Sequence, residues 1–600
     1  MLLSTYIHTY IHTYIHTARR QWLVFAAFAL VVFVKIISFH WFCFHSVILS
    51  SLFHHPTEFV RFWLGKITPV VFLSGFIFIS KRYWWTVVIQ MLIDTWLIAN
   101  LFYHKAQHLF LSSETMKMAG NLTGVWDSLF SYLGFDIVSF VVWTAIYTIV
   151  IVVVKKTDER PKRHLKTFSI LFLLSLLFSV VGNYCYYLYL QEVDDDSDSF
   201  RHFFPFAHAH YYAKVRTLTD YNEWTRIYIK DYSIVSYFPA CFLYNVLHPA
   251  GEIISLTEYQ EKQVESALYT NNRQYITPKG NLVIILVESL ESWVLRDVEG
   301  YNFMPYLREF AHRDNVLYCD KVHAQVRHGN SADGQMIVLT GLLPISNGAT
   351  CVLYPHNDYP SFAECYNNSI IIKANAGLWN QSIVTYSYHF KQLLEPTNKD
   401  WGGDLQLMEK MANYIDTVQQ PFCMLGFTMD SHVSFDYGAE HPTYQIPGMP
   451  KMLIDYLNCL IHTDACINRL IDKIMMSDLK DNTTIVITGD HTIFRSKNEE
   501  IDEYATSKNL PMQTTKTFTP LIIYSPDIKH NTYISEDVYQ ADIFPTILPY
   551  IGLDEFFWHG VGVDVSDSAA MHHRAMTETE AYHMSELIIK SNYFGVKMPK

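Results

Sequence analysis

Five long apolar stretches fill the first third of the chain, and shorter apolar runs alternating with amphipathic ones fill the last half. The long stretches cover residues 22–42, 67–80, 83–103, 132–154 and 167–190. A spanning helix needs about 20 mostly apolar residues, because hydrocarbon offers the backbone no hydrogen-bond partner. One such stretch would suit the core of a soluble domain; five in succession predict a membrane region over 21–190, with the second span the shortest. Residues 1–20 form a tail built on the repeat TYIHTYIHTYIHT, which has neither the basic n-region nor the apolar h-region of a secretory leader.

Beyond residue 281 the pattern changes. LVIILV (282–287), SIIIKA (369–374), FCMLGFT (422–428), TIVIT (484–488) and PLIIYS (520–525) are continuous apolar runs, as expected of strands buried on both faces. Between them, 402–418 and 452–476 carry apolar residues at helical spacing. The alternation predicts an α/β domain over 276–600, a mostly parallel sheet covered by helices. Residues 191–275 open on the acidic EVDDDSDS and continue through the aromatic FRHFFPFAHAHYY. They predict a helical juxtamembrane connector, its rings settling at headgroup level.

Charge separates the two regions further. Only 17% of the 600 residues are charged, against roughly 25% in an average soluble domain. The net charge of −13 divides into +8 over residues 1–190 and −21 over the remainder. So acidic an outer half excludes nucleic acid as a partner, since that needs a basic face. Arg19 with Arg20, Lys81 with Arg82, and six basic residues from Lys155 to Lys166 all fall on one side of five spans. Basic loops stay in the cytoplasm, which predicts a multi-pass protein of the cell (inner) membrane with its last domain on the extracytoplasmic, periplasmic side. Lys35, Asp94 and Asp136 sit inside predicted spans, where a lone charge is expensive. A Lys35 pair with Asp94 or Asp136 that fixes helix packing is the expected solution. Seven of the nine cysteines would face an oxidising exterior, where a disulfide is permitted; Cys351 and Cys365 are the nominated pair. No cysteine spacing suits structural zinc.

In doubly covered parallel sheets, ligands bind beyond the carboxyl ends of the strands. Glu288 directly follows LVIILV, Ser431 and His432 lie just past FCMLGFTMD, and Asp490 with His491 follows TIVITG. A fourth segment, RHGNSADGQMIVLTGLLP, sets Ser331 after a Gly-Asn turn at the start of a helix, where free N–H groups and the helix dipole favour an anion. One acid at a strand end is usually a cap or a solvated loop residue; four such positions at one sheet edge point to a site. Carboxylate and imidazole ligands suit one divalent cation, Mn²⁺ foremost, with Zn²⁺ or Mg²⁺ as alternatives. A hydroxyl bound to such an ion becomes a nucleophile at neutral pH. Ser331 is assigned the attack, and His432 the protonation of the leaving oxygen or stabilisation of the phosphoryl oxygens.

At these residues the chain resembles the sulfatase branch of the alkaline-phosphatase superfamily, and within it lipoteichoic acid synthases and related membrane-anchored phosphoglycerol transferases. NLVIILVES resembles the family's first metal strand, QVRHGNSADGQ its nucleophile segment, TMDSHVSF its active-site His segment and TIVITGDH its Asp-His metal motif. The resemblance implies that Glu288, Ser331, Asp490 and His491 bind one metal, that Ser331 carries a covalent phosphoryl group, and that His432 and Asn330 lie in the substrate pocket. GLWNQ resembles a stretch whose Trp packs on the bound headgroup, which nominates Trp379. Departures are equally plain: the family's nucleophile is commonly Thr, its headgroup-gripping His near that Trp is not matched, and Gln381 stands where Arg is expected.

The implied reaction moves a phospholipid-derived headgroup, phosphoglycerol or phosphoethanolamine, to a cell-envelope glycolipid or polysaccharide through a phosphoserine. Hydrolysis of the same phosphodiester and non-catalytic headgroup binding are the alternatives. A sulfate-ester hydrolase is the poorer fit, because Ser331 is followed by Ala332, Asp333, Gly334 and Gln335, without the Pro or Ala at the second position and Arg at the fourth that formylglycine formation requires.

Overall fold

The structure, a computed structural model, describes residues 2–51, 56–79, 82–107, 110–111, 134–155, 163–193, 225, 229–230, 232–239, 251–346, 348–374, 377–395, 403–493, 498–514 and 516–598. The chain divides into two compact units.

The first unit holds α1 (Leu2–Ser51), α2 (Pro56–Gly75), α3 (Trp84–Gln107), α4 (Phe135–Lys155) and α5 (Leu165–Val193). Within them Arg20–Phe44, Phe59–Phe78, Trp84–Lys105, Phe135–Val154 and Leu165–Gly182 are long and apolar enough to cross a bilayer. Outward residues such as Leu30, Leu92, Val153 and Leu173 are exposed, as lipid-facing positions are. The second span starts at Phe59, well before the expected 67. Arg61 and Lys66 interrupt the apolar run, yet both are buried, and Lys66 Nζ donates to the carbonyl of Lys230. Lys35 meets Asp94 at 2.5 Å and donates to Gln90 Oε1 at 2.8 Å, while Thr144 Oγ1 donates to Asp94 Oδ2 at 2.5 Å. The network satisfies a charge pair that would otherwise stand in hydrocarbon. Asp136 pairs instead with Lys105 at 2.6 Å. From the connector, Ile234 and Tyr237 pack into the bundle's core, and Trp96 Nε1 donates to the Ile234 carbonyl at 2.9 Å. The aromatic stretch 200–212 lies outside the described residues.

The second unit is built on nine strands: β1 (Asn281–Val287), β2 (Val316–His323), β3 (Asn368–Ile372), β4 (Gln392–Leu394), β5 (Phe422–Phe427), β6 (Thr483–Gly489), β7 (Thr519–Tyr524), β8 (Thr532–Ile534) and β9 (Val538–Tyr539). The order is β4-β3-β5-β1-β6-β7-β2-β8, with β9 also on β2. Pairs along β4, β3, β5, β1 and β6 are parallel; β7 runs antiparallel to both its neighbours. Every residue of β1, β5, β6 and β7 is buried, which is why they read as unbroken apolar runs.

Helices cover both faces. Around the sheet stand α6 (Glu258–Ser266), α7 (Ser331–Thr340), α8 (Gly403–Thr417), α9 (Lys451–Met475) and α10 (Glu578–Ser591). One core joins Leu282, Ile284 and Leu286 to α7 and α10; the other joins Val283, Ile285 and Val287 to α8 and α9. Alternate residues of β1 thus face opposite cores. Segment 251–276 is fastened to this unit. Ile254 N donates to the Lys590 carbonyl at 2.9 Å. The buried Arg273 guanidinium bonds Asp358 at 2.8 Å, Glu364 at 2.7 Å and the Met598 carbonyl at 3.0 Å. The expected Cys351–Cys365 disulfide is corrected: both are free thiols, each buried among apolar side chains of the first core.

Candidate active site

Three adjacent parallel strands, β5, β1 and β6, end at one edge, and each hands a polar residue to it. The residue after β1 is Glu288, held by its N–H donating to Thr428 Oγ1 at 2.9 Å. The two after β6 are Asp490 and His491. A ligand atom of Glu288, of Asp490 and of His491 lie within 4.8 Å of one another, all buried.

Hydrogen bonds decide which atoms are left for a ligand. Asp490 Oδ1 accepts from Ser289 N and His491 N, both at 2.8 Å, whereas Oδ2 is buried with no hydrogen-bond partner. His491 Nδ1 lies 3.1 Å from the Thr492 carbonyl, which can only accept. That fixes the proton on Nδ1 and turns the Nε2 lone pair inward. Nε2 lies 3.4 Å from Glu288 Oε1, 3.5 Å from Asp490 Oδ2 and 3.3 Å from Ser331 Oγ. Ser331 Oγ donates to Glu288 Oε2 at 3.1 Å. Two carboxylates, one imidazole lone pair and one hydroxyl so converge, and the orphaned Oδ2 is the clearest sign that a cation belongs there: a buried unpartnered carboxylate oxygen is costly otherwise. Burial and the neighbouring Asp490 push the Glu288 carboxyl upward, while His491 pulls it back.

Ser331 is placed by its turn. Asn330 takes φ +46, and Asp333 folds back to accept from Arg327 N and Gly329 N, each at 2.9 Å. Helix α7 then presses on the end of β6: a Cβ on Gly334 would stand 2.3 Å from the Asp490 carbonyl oxygen, so only glycine fits. Gln540 Nε2 donates to that carbonyl at 2.7 Å, and Gln540 Oε1 accepts from Gln325 N at 3.1 Å. The segment that leads to Ser331 and the end of β6 are therefore tied twice.

His432 lies on the loop after β5, half-buried. Neighbouring Ser431 Oγ donates to the Glu288 carbonyl at 2.6 Å, and His432 Nδ1 is bonded to the Val433 carbonyl. Burial holds its imidazole below the usual range, with the Val433 carbonyl pulling the other way. Trp379 and Asn330 are not ligand atoms of the cluster. Trp379 follows β3, half-buried against the first core at φ +55, and Asn380 beside it donates to the Cys351 carbonyl at 3.0 Å.

Sequence reading missed two things. Lys373, buried immediately after β3, carries the same signal as Glu288, a charge directly following an apolar run; burial pushes its ammonium down to about 8. The other is the pair Asp404 and Asp430, which clamps the His432 loop. Asp404 Oδ1 accepts from Met429 N at 2.7 Å, and Asp430 Oδ1 accepts from Gly403 N at 3.0 Å. Burial and Asp430 raise the Asp404 carboxyl. A raised folded value means the folded state keeps its proton longer than the unfolded chain. The stability tied to that proton is whole below the ordinary carboxylate range and is lost as pH climbs toward the folded value. Asp404→Asn should therefore gain on the parent by roughly 3–5 °C in melting temperature between about pH 5 and about pH 8. Paired melting curves across that range check it; a constant gap counts against the clamp as drawn.

Comparison with known proteins gives a consistent picture. The family model described as Sulfatase matches residues 280–553, and that described as Lipoteichoic acid synthase N-terminal domain matches 9–200. Lipoteichoic acid synthase 1 of Bacillus subtilis (strain 168) is 22% identical over 525 residues, covering 80% of this chain and 74% of that protein. Lipoteichoic acid synthase of Staphylococcus saprophyticus is 21% identical over 522 residues, covering 82% and 76%. Among solved structures, a lipoteichoic acid synthase from Listeria monocytogenes is similar at 18% identity and a TM-score of 0.44, covering 51% of this chain and 81% of that one.

Proposed function

We propose, for a chain that is a lipoteichoic-acid-synthase-like protein of the sulfatase branch of the alkaline-phosphatase superfamily, transfer of a phosphoglycerol or phosphoethanolamine headgroup from a phospholipid to a cell-envelope glycolipid or polysaccharide. The observation that carries this reading is Ser331 Oγ standing within hydrogen-bond reach of both Glu288 and His491 beside the orphaned oxygen of Asp490. A nucleophile, its proton acceptor and a cation cradle share one point.

Glu288, Asp490, His491 and Ser331 would hold one divalent ion, with Mn²⁺ favoured by the mixed carboxylate and imidazole donors. Such an ion stabilises charge on the serine and phosphoryl oxygens. Ser331 Oγ attacks phosphorus in line, the diacylglycerol oxygen departs with the serine's proton, and the headgroup phosphate stays on Oγ. An acceptor hydroxyl then attacks the same phosphorus and the Ser331 oxygen leaves. His432, on the loop after β5, takes the acceptor's proton and returns it to the serine. That assignment adds a proton-accepting role in the second step to the acid role expected from the sequence. The basic loops on one side of the five spans support a catalytic domain outside the cytoplasm, and donor lipid and diacylglycerol would both remain in the bilayer.

The test is a trapped adduct. Full-length protein loaded with Mn²⁺ is mixed with vesicles of phosphatidylglycerol or of phosphatidylethanolamine, and the Ser331 peptide is weighed. A mass increase equal to one headgroup phosphate is expected, with turnover that rises on adding glycan acceptor. Release of free headgroup at the same rate with and without acceptor makes the protein a hydrolase, and an unmodified Ser331 with either lipid removes the reading.

A further inference from the structure

The edge that receives Glu288 and Asp490 also receives a cation. Strand β3 ends at Ile372, which pairs with Gly426 of β5, and Leu286 of β1 pairs with Phe427. Lys373 therefore leaves β3 level with Phe427, one strand removed from Glu288. Its backbone N–H donates to the Leu394 carbonyl at 3.2 Å, and its side chain is buried at 3% exposure.

What surrounds the ammonium is unusual for a buried charge. Nζ donates to Gln381 Oε1 at 3.3 Å and stands 4.3 Å from the Phe427 ring centroid. Gln381 is oriented for this, since its Nε2 donates to Thr385 Oγ1 at 2.9 Å and leaves Oε1 facing the lysine. Both contacts are neutral. Among the described residues no carboxylate lies within ion-pair distance of Nζ; Glu288 and Asp490 act on it only through their field. Cys351 is also near, but burial keeps its thiol protonated, so it supplies no countercharge. Buried ammonium groups are ordinarily paired with an anion, because an amide and a ring face return only part of the lost hydration.

We propose that Lys373, aimed by Gln381 and Phe427, binds a non-bridging oxygen of the substrate's phosphate and so supplies the positive contact that the sequence motif lacks where Gln381 stands in place of Arg. The inference rests on the phosphotransferase reading of Ser331. No bond to Lys373 is made or broken; its N–H donors, one of which is spent on Gln381, meet an oxyanion whose charge is spread further as the phosphoryl group moves. Lys373 is thereby a substrate-binding residue for any phosphate diester, and its charge says nothing of the headgroup beyond the phosphate.

Inorganic phosphate is the probe, titrated into the full-length, Mn²⁺-loaded protein and followed by melting temperature and by competition with headgroup transfer. Lys373→Met keeps the volume without the charge, and Lys373→Gln keeps a donor without the charge. Both should bind phosphate about 10- to 100-fold more weakly, with Mn²⁺ affinity held and the phosphate-free melting temperature equal to or above the parent's. A melt that holds or rises while phosphate binding falls is the mark of a charge kept for a ligand and not for folding. Unchanged phosphate affinity in Lys373→Met overturns the proposal, and so does parallel loss of Mn²⁺ and phosphate, which would make Lys373 a prop for the metal cluster. If the parent binds phosphate through Lys373 yet Ser331 never carries an adduct, the anion site stands and the transferase reading alone falls.

Discussion

Ser331→Ala should lower headgroup transfer by at least ~10⁴-fold, judged by kcat/KM and by disappearance of the Ser331 adduct. The size follows from the geometry. Alanine removes the atom that attacks, the hydroxyl 3.1 Å from Glu288 and 3.3 Å from His491 Nε2; the neighbouring Ser289 hydroxyl is spent on Glu288 Oε1. The rest of the cradle survives: Glu288 loses the bond from Ser331 to Oε2 but keeps the Ser289 hydroxyl on Oε1 at 2.7 Å and its backbone bond to Thr428, while Asp490 and His491 are held by Ser289 N and the Thr492 carbonyl. Metal content and melting temperature should accordingly stay close to the parent's. Ser331→Thr restores a hydroxyl at the same helix start and should recover a large part of the activity. Transfer by the alanine variant at parental rates would show that water or the acceptor attacks the donor directly, and the double displacement would be wrong.

The second large effect concerns the metal. In the cation-free protein two buried carboxylates face each other, and burial first, then the Asp490 charge, push the Glu288 carboxyl upward. Asp490→Asn keeps the Oδ1 atom that accepts from Ser289 and His491 but replaces the orphaned Oδ2 by an amide nitrogen. Without metal the variant should melt at or above the parent, since one of two like charges has gone. With Mn²⁺ at about 1,000 times the parent's Kd, binding adds about 4 kcal/mol to the parent, and the order should reverse. Melting curves with chelator and with excess Mn²⁺ therefore cross between the two proteins, and activity of the variant should be negligible in both. Identical metal responses in the two proteins would mean that the ion does not sit on Asp490.

These residues were legible because of where they stand. A strand buried on both faces admits no polar side chain until it leaves the sheet, so Glu288 after LVIILV and Asp490 after TIVITG announce the edge. Ser331 was legible from its glycine turn. What escaped notice had its polar groups satisfied internally. Strand β2 carries Asp320 and Lys321, which break the apolar run, but Asp320 pairs with Arg296 at 2.6 Å and accepts from Tyr533 Oη at 2.9 Å. A register shift between Cys319 and Val322 blurs the alternation further. The start of the second span was hidden in the same way by Arg61 and Lys66, and β4, β8 and β9 are too short to carry a period. The cysteine pairing failed for another reason: a buried thiol packs well as a small apolar group, and spacing along the chain says nothing of whether two such groups meet.

The contact between Gly334 and the carbonyl of Asp490 has a mechanical meaning. With no side chain between helix and strand end, the Ser331 helix is set directly against the backbone that leaves β6. The spacing between Ser331 and the Asp490–His491 pair is then set when the polypeptide folds, before any ligand is met.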